Sequence, residues 1–153
     1  MGFDYEGRVK LFDFGLAKEL DPKQKTTNGL YQMSGGTGSR RFMAPEVALS
    51  EPYNESCDVY SFSILLWELL TLDKAFGWLS PDEHRERCVK NGERLELRAS
   101  WSATLKALLE GCWSRDISSR PSAREVYKLI QQEIDRIYED DFMNAEEESG
   151  EKQ

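Results

Sequence analysis

The chain has 153 residues, of which 39% are apolar, and a formal net charge of −8. This composition predicts one soluble globular domain. The charge is uneven, because the segment from Glu139 onward carries a net charge of −6 and leaves only −2 for the rest of the chain. The body of the protein is therefore excluded by charge as a nucleic-acid-binding surface, and the acidity belongs to the tail.

The cysteines and the hydropathy indicate the compartment. Cys57, Cys88 and Cys112 lie far apart and lack the spacing of metal ligands, so they are predicted to be buried thiols in a reducing environment. No signal peptide or membrane-spanning segment is predicted. We therefore expect a cytoplasmic protein with no nucleic-acid partner and no membrane partner.

A short strand is predicted near residues 8–12, where polar and apolar side chains alternate. The strand runs directly into Asp13-Phe14-Gly15, and a glycine two residues after the aspartate predicts that the carboxylate lies at a backbone bend. As a bare tripeptide, this motif is not specific for any function.

A long polar loop follows, over residues 21–38, and it contains few large apolar side chains. Long loops inside compact domains are usually functional or mobile. Pro45 is suited to the first turn of a helix, so a short helix is predicted from Pro45 to about Leu49.

The central feature of the sequence is a helix predicted over about residues 56–72, which is apolar on nearly all sides. Such a helix is buried in the core of a domain. It is too short, and is interrupted by Glu68, to span a bilayer. Asn54 or Ser56 is expected to cap its start, and Asp58 lies in its first turn, where the helix dipole favours an anion.

Three more helices are predicted near residues 81–91, 101–112 and 122–137. Ser80 and Glu83 have the spacing of a capping box at the start of the first. The fold class predicted from these elements is mainly α.

Neither the single histidine nor the C-terminal tail is assigned a functional role. His84, the only histidine, is expected to be a surface residue because it lies on a mostly charged helix. Residues 139–153 are acidic and poor in apolar side chains, and they are predicted to form a disordered tail.

Several motifs, taken together, resemble the C-terminal lobe of a protein kinase catalytic domain in both order and spacing. They are Asp13-Phe14-Gly15, Ala44-Pro45-Glu46, Asp58 at the head of the central helix, and Arg120-Pro121. The runs 58–62, 112–116 and 119–122 resemble the tyrosine-kinase-like branch of the serine/threonine kinases. The resemblance implies a partial kinase domain over residues 1–138, with an activation segment at 13–46 and a helical lobe at 47–138.

The resemblance also implies cofactors, which are ATP and Mg²⁺. Asp13 matches the carboxylate that holds the Mg²⁺ bridging the ATP phosphates, and Mg²⁺ prefers oxygen ligands. Phe14, followed by Gly15, matches the packing residue whose position distinguishes active from inactive states.

Three further matches are structural. Glu46 and Arg120 match a buried ion pair that ties the substrate loop to the lower helices. Asp58 matches the residue that anchors the catalytic loop by accepting backbone N–H bonds. We assign none of these residues to catalysis.

The run 36–46 resembles that of a serine/threonine kinase, because the proline and tryptophan that tyrosine kinases usually carry in this run, ahead of Ala44-Pro45-Glu46, are absent. Ser39 occupies the place of a family threonine in the peptide-binding pocket and keeps its hydroxyl. Ser34 and Thr37 are predicted phosphorylation sites, where added negative charge would pair with arginine side chains. Arg40 and Arg41 are candidates for that pairing or are ordinary solvated arginines.

The residues before Asp13 do not include the family's glycine-rich loop, its phosphate-binding lysine or its catalytic-base aspartate. We therefore expect an incomplete lobe, truncated just before the Asp-Phe-Gly motif and inactive alone. Its uncovered apolar face is expected to promote non-specific oligomers. The expected partner is a protein substrate or the missing N-terminal half of the kinase.

Three interpretations remain open. The chain is a fragment of an active serine/threonine kinase, a non-catalytic pseudokinase-like scaffold, or a truncated gene-model product that does not fold stably. The coding sequence upstream of Met1 distinguishes the first two, and a flat circular-dichroism melt would favour the third.

Overall fold

The protein is mostly helical in the computed structural model, which describes residues 1–150 and the side chains up to Glu139. Its helices are α1 (Pro45–Leu49), α2 (Ser56–Thr71), α3 (Pro81–His84), α4 (Ala103–Cys112) and α5 (Ala123–Gly150). Strands β1 (Gly2–Phe3) and β2 (Val9–Lys10) pair antiparallel, with Gly2 opposite Lys10 and Phe3 opposite Val9. The predicted mainly α class is confirmed; β1 was not predicted.

Helix α2 is the centre of the fold, as its apolar sequence predicts. The side chains of Tyr60, Ile64 and Trp67 are buried in the main core, and Ile64 has no exposed surface. Burying one such side chain contributes about 1.5–3 kcal/mol. The helix ends at Thr71, because Leu72 adopts a left-handed conformation with φ of 58°. Leu69 is 62% exposed, so the last turn of α2 is only partly covered by the rest of the chain.

The predicted caps are present. Asn54 accepts a hydrogen bond from the backbone N–H of Ser56 at 3.0 Å, which satisfies one free donor at the start of α2. At α3, the Ser80 hydroxyl accepts from the Glu83 N–H at 3.3 Å, and the Glu83 carboxylate accepts from the Ser80 N–H at 2.8 Å.

Helix α3 continues into a π-helical turn over Arg85–Lys90, and this turn packs against α1. His84, at the junction, is only 8% exposed, so the prediction of a surface histidine is wrong. The imidazole packs edge-on against Phe76, with ring centroids 4.9 Å apart. Sequence periodicity missed this burial because the apolar partner belongs to the preceding loop and not to the helix.

Helix α5 packs Val126 against Val59, Leu108 and Cys112, which together form a second core cluster. It extends to Gly150, beyond the predicted end at 137, so the prediction of disorder is wrong from 139 to 150. Extending an established helix costs much less than nucleating one, which is why a segment with little apolar content can continue it. The rest of the predicted tail, residues 151–153, lies outside the described residues.

The structure also bears on the membrane and on the thiols. Within residues 1–150, no helix has the length and apolar character needed to cross a membrane. All three cysteines are free; Cys88 and Cys112 are buried as predicted, and Cys57 is half-buried.

Candidate functional site

A buried ion pair joins α1 to the segment between α4 and α5. Arg120 donates from Nη1 to Glu46 Oε1 at 2.6 Å and from Nη2 to Glu46 Oε2 at 2.9 Å. The side chains are 0% and 4% exposed, respectively. A bidentate guanidinium–carboxylate pair combines charge with fixed geometry, and so it holds the end of the predicted activation segment in one orientation. The contact expected from the sequence motifs is present.

Two further N–H groups of Arg120 also donate hydrogen bonds. Its Nε donates to the Ser114 carbonyl at 2.9 Å, and Nη1 makes a second, longer bond to the Ser56 carbonyl at 3.3 Å. The guanidinium carbon lies 5.2 Å from the centre of the Tyr60 ring, within the range of a cation–π contact. The sequence did not single out Tyr60 as part of this site, since its place in α2 is typical of an ordinary core residue.

Asp13 lies at the backbone bend predicted from its motif. Its φ is 64°, and its Oδ1 accepts from the Gly15 N–H at 3.3 Å. The whole Asp13-Phe14-Gly15 motif is exposed, with Phe14 70% exposed. A left-handed conformation is tolerated better by aspartate than by most residues, because its short polar side chain can bond locally.

A large cavity of about 1230 Å³ brings four of the predicted site residues to one region. Asp13, Phe14, Asp58 and Arg120 all line it. Its apolar lining comes from the N-terminal segment, α2, α5 and the residues between them: Leu11, Phe12, Val59, Phe62, Leu65, Val126 and Ile130. The cavity is therefore an apolar groove along α2 and α5 whose lining also contains the acidic residues Asp13 and Asp58, and we call it the α2–α5 groove.

Asp58 is exposed, and it lines both the α2–α5 groove and a second cavity of about 340 Å³. The thiol of its neighbour Cys57 lies 3.9 Å from Asp58 Oδ1. Burial, and then the negative charge of Asp58, raise the pKa of Cys57 to about 12. This thiol is therefore protonated at neutral pH and is a weak nucleophile.

The smaller cavity is lined by Ser39, predicted for the peptide-binding pocket, and by Thr37, predicted as a phosphorylation site. Thr37 and Ser39 are exposed and line it, together with Met43 and Tyr53. Ser34 is also exposed but does not line this cavity, and its carbonyl accepts from the Tyr53 hydroxyl at 2.9 Å. The structure thus places Thr37 and Ser39 at one site and Ser34 beside it.

The activation segment is attached to the lobe by backbone contacts. Tyr31 and Tyr53 form an isolated antiparallel bridge, with N–H to carbonyl distances of 2.8 and 3.1 Å. The Gly36 N–H donates to the Val47 carbonyl at 2.8 Å. A Cβ at Gly35 would lie 2.5 Å from the Cα of Ser50, so only glycine allows this approach. The adjacent glycines 35 and 36 were a signal for such an approach.

The residues present do not by themselves complete a Mg²⁺ site. Asp13 offers one carboxylate, and no group of three or more His, Cys, Asp or Glu side chains that could hold a metal ion occurs in the described part of the chain. Mg²⁺ requires near-octahedral oxygen coordination, usually including carboxylates, waters and substrate phosphates. Asp13 can therefore be one ligand of such an ion, and the remaining ligands would have to come from other groups.

Comparison with known proteins identifies the family. The family model for protein tyrosine and serine/threonine kinases matches residues 3–130. The chain is 35% identical over 133 residues to serine/threonine-protein kinase STY17 of Arabidopsis thaliana, covering 87% of this chain and 22% of the relative. It is 39% identical over 134 residues to dual specificity protein kinase shkC of Dictyostelium discoideum, covering 83% and 24%. It is also 35% identical over 123 residues to human mitogen-activated protein kinase kinase kinase 7, covering 80% and 19%.

The chain belongs to the protein tyrosine and serine/threonine kinase family. The resemblance predicted from its motifs, including the tyrosine-kinase-like branch, is confirmed. The chain spans about a quarter or less of the length of these relatives. Protein kinases of this family generally use ATP and Mg²⁺.

Proposed function

We propose that the chain forms the substrate-binding and metal-binding part of a protein serine/threonine kinase and has no phosphoryl-transfer activity alone. The observation that supports this most directly is the buried Glu46–Arg120 pair, which fixes the end of the activation segment to the helical lobe. In this proposal Asp13 supplies one oxygen ligand to Mg²⁺, and Ser39 contributes its hydroxyl to the peptide pocket. Phosphoryl transfer depends on positioning and charge stabilisation, which Asp13 alone does not provide.

The first test measures transfer of labelled phosphate from Mg–ATP to a mixed protein substrate by the chain itself. No transfer above background is expected. The second test uses a chimera in which the part of STY17 that precedes its Asp-Phe-Gly motif is joined to this chain. We expect the chimera to phosphorylate serine and threonine, and Asp13→Asn to abolish the activity.

The matched control is Asp73→Asn, since the Asp73 side chain is 71% exposed and lies far along the chain from the motif. It should keep the activity of the chimera. Transfer that does not depend on Asp13, or transfer to tyrosine alone, would contradict the proposal. A folded but inactive chimera would favour a pseudokinase-like scaffold instead.

We further propose that the partner of the α2–α5 groove is the half of a kinase domain that precedes the Asp-Phe-Gly motif. The apolar lining of the groove and the exposure of Phe12 (62%) and Phe14 (70%) support an apolar partner. The carboxylates of Asp13 and Asp58 in the lining favour basic groups on that partner. The test measures binding of the isolated upstream half of STY17 to this chain and to its Phe62→Asp variant, in which a charge is placed in the groove. Equal binding by the wild-type chain and the variant would reject the groove as the binding site. Self-association of the chain without binding of the STY17 half would favour non-specific oligomers.

Ser34 and Thr37 are proposed as phosphorylation sites that regulate the segment. Both are exposed, whereas Tyr31 is 7% exposed and its backbone is paired with Tyr53. Expression in a eukaryotic host and phosphopeptide mapping test the proposal. We expect phosphate on Ser34 or Thr37 and none on Tyr31; modification of Tyr31 alone would contradict it.

A cytoplasmic location is proposed as well. The three free cysteines support it, because a reducing compartment keeps thiols unpaired. Cell fractionation with a tagged chain tests it, and recovery in the secreted fraction would reject it.

A further inference from the structure

The Tyr60 ring is contacted by two guanidiniums from different parts of the chain. The guanidinium carbon of Arg120 lies 5.2 Å from the ring centre, and that of Arg94 lies 5.4 Å from it. Tyr60 as a whole is only 3% exposed. Cation–π contacts strengthen when they are desolvated, so both contacts lie in the environment where they contribute most.

Arg94 is held by backbone carbonyls. Its Nε donates to Trp113 at 2.9 Å, and its Nη1 donates to Cys88 at 3.0 Å and to Glu93 at 2.9 Å. Arg94 forms no ion pair within the described side chains, up to residue 139. Its guanidinium therefore joins the π-helical turn to the end of α4 and to Tyr60, and it does not neutralise a carboxylate.

The two arginines also bind neighbouring carbonyls of one segment. Arg94 bonds to Trp113, and Arg120 bonds to Ser114. The two Nη groups of Arg120 in turn donate to the carboxylate of Glu46, at the end of the activation segment. A planar guanidinium makes a bidentate bond only when its plane is correctly oriented, so the groups packed against that plane influence the bond.

We propose that Arg94 is a positioning residue for the substrate-binding segment, acting through the Tyr60 ring on the Glu46–Arg120 pair. Arg94 orients the ring, the ring supports the guanidinium of Arg120, and Arg120 holds α1. The proposal rests on the proposed function only in calling this segment substrate-binding. Its test reads backbone motion in α1 and requires no phosphoryl transfer, so a failure here is distinguishable from a failure of the kinase proposal.

The test is native-state hydrogen exchange of two reporter amides that donate to carbonyls at α1, that of Ala48 within the helix and that of Glu51 just after its end. These amides donate to the Ala44 and Glu46 carbonyls at 3.0 and 2.9 Å. Arg94→Met should raise their exchange rates about tenfold, the effect of losing a desolvated cation–π contact. Arg98→Met is the matched control, because Arg98 also binds a carbonyl, that of Thr71, but does not contact Tyr60. It should leave both rates unchanged.

Whether Arg94 acts on α1 through the Tyr60 ring is tested by introducing Arg94→Met into two Tyr60 variants. In Tyr60→Phe, which keeps the ring, the effect on the reporters should persist. In Tyr60→Leu it should largely disappear. The same increase in the Tyr60→Leu background would overturn the proposal, because Arg94 would then act through the contact between the π-helical turn and α1.

A second measurement covers the case in which Tyr60→Leu does not fold. The Nε–H resonance of Arg120 reports its own geometry in a nitrogen–proton NMR spectrum. Arg94→Lys should shift that resonance, and Arg98→Lys should not. An unshifted Arg120 resonance in Arg94→Lys would also overturn the proposal.

Discussion

Arg120 and Glu46 are 74 residues apart in the chain and share two hydrogen bonds of 2.6 and 2.9 Å in the protein interior. The pair connects the short helix α1 to the segment that precedes α5. It brings two motifs that are distant in the sequence into direct contact, and the position of the activation segment depends on this contact.

Arg120→Met should destabilise the protein by about 3–5 kcal/mol, because it leaves the Glu46 carboxylate buried without a partner. Urea unfolding followed by circular dichroism measures the change. The double variant Glu46→Leu with Arg120→Met should recover a large part of the loss, since neither charge then remains buried. Arg124→Met is the control, because Arg124 is exposed, and it should change stability by less than about 0.5 kcal/mol. Equal stability of the Arg120 and Arg124 variants would contradict the role of the pair.

Gly35→Ala should loosen the activation segment. The added Cβ would lie 2.5 Å from Ser50 Cα and 2.7 Å from the Val47 carbonyl oxygen, so the backbone must move. We expect a loss of about 1–3 kcal/mol, typical of overpacking, and faster proteolytic cleavage within residues 21–38. Gly111→Ala is a matched control in α4, where the new Cβ would meet Pro121 at an ordinary 3.6 Å. It should be neutral or stabilising. Cleavage of the Gly35 variant at the wild-type rate would count against the close approach.

His84 should make stability depend on pH. Its burial first, and then the nearby charges of Arg41 and Arg94, lower the pKa of the imidazole below its ordinary value of 6.5. Its Nε2 is buried without a hydrogen-bond partner among the described residues. The folded protein therefore favours neutral histidine, while the unfolded chain binds the proton more readily. The stabilisation is complete above pH 6.5 and is lost as the pH falls toward the lower pKa of the folded protein.

The measurement for His84 is the difference in unfolding free energy between wild type and His84→Phe at pH values from 7.5 to 4.5. Carboxylate titrations are common to both proteins and cancel in the difference. The variant should gain stability relative to wild type as the pH falls. A difference that does not change with pH would show that His84 is not held neutral by the fold.

The three thiols should resist alkylation until the protein unfolds. Burial raises the pKa of Cys88 and of Cys112 to about 11, and burial with the Asp58 charge raises that of Cys57 to about 12. The thiolate is the reactive form, so little of it is present at pH 8. Mass spectrometry after iodoacetamide treatment should show no labelling in native conditions and three labels in urea. Rapid native labelling of Cys57, which is half-buried, would contradict its raised pKa.

Local sequence patterns predicted the structure correctly where it depends mainly on residues close together in the chain. The start of α3 follows from the Ser80–Glu83 capping box, and the core position of α2 follows from its apolar run. The bend at Asp13 follows from its motif. Two predictions failed because the structure there depends on residues outside the local pattern. His84 is buried against Phe76, which belongs to the preceding loop, and α5 continues past residue 137 because it extends an established helix.

The sequence by itself determined the kinase family and the order of the helices, because ordered motifs and apolar periodicity are properties of the linear chain. The resemblance to that family then implied that Glu46 and Arg120 are partners. Only the tertiary structure decided that Tyr60 contacts two guanidiniums and that Gly35 meets Ser50. Such contacts depend on how separate segments are oriented in space. That orientation results from packing of the whole core, which no local stretch of residues specifies.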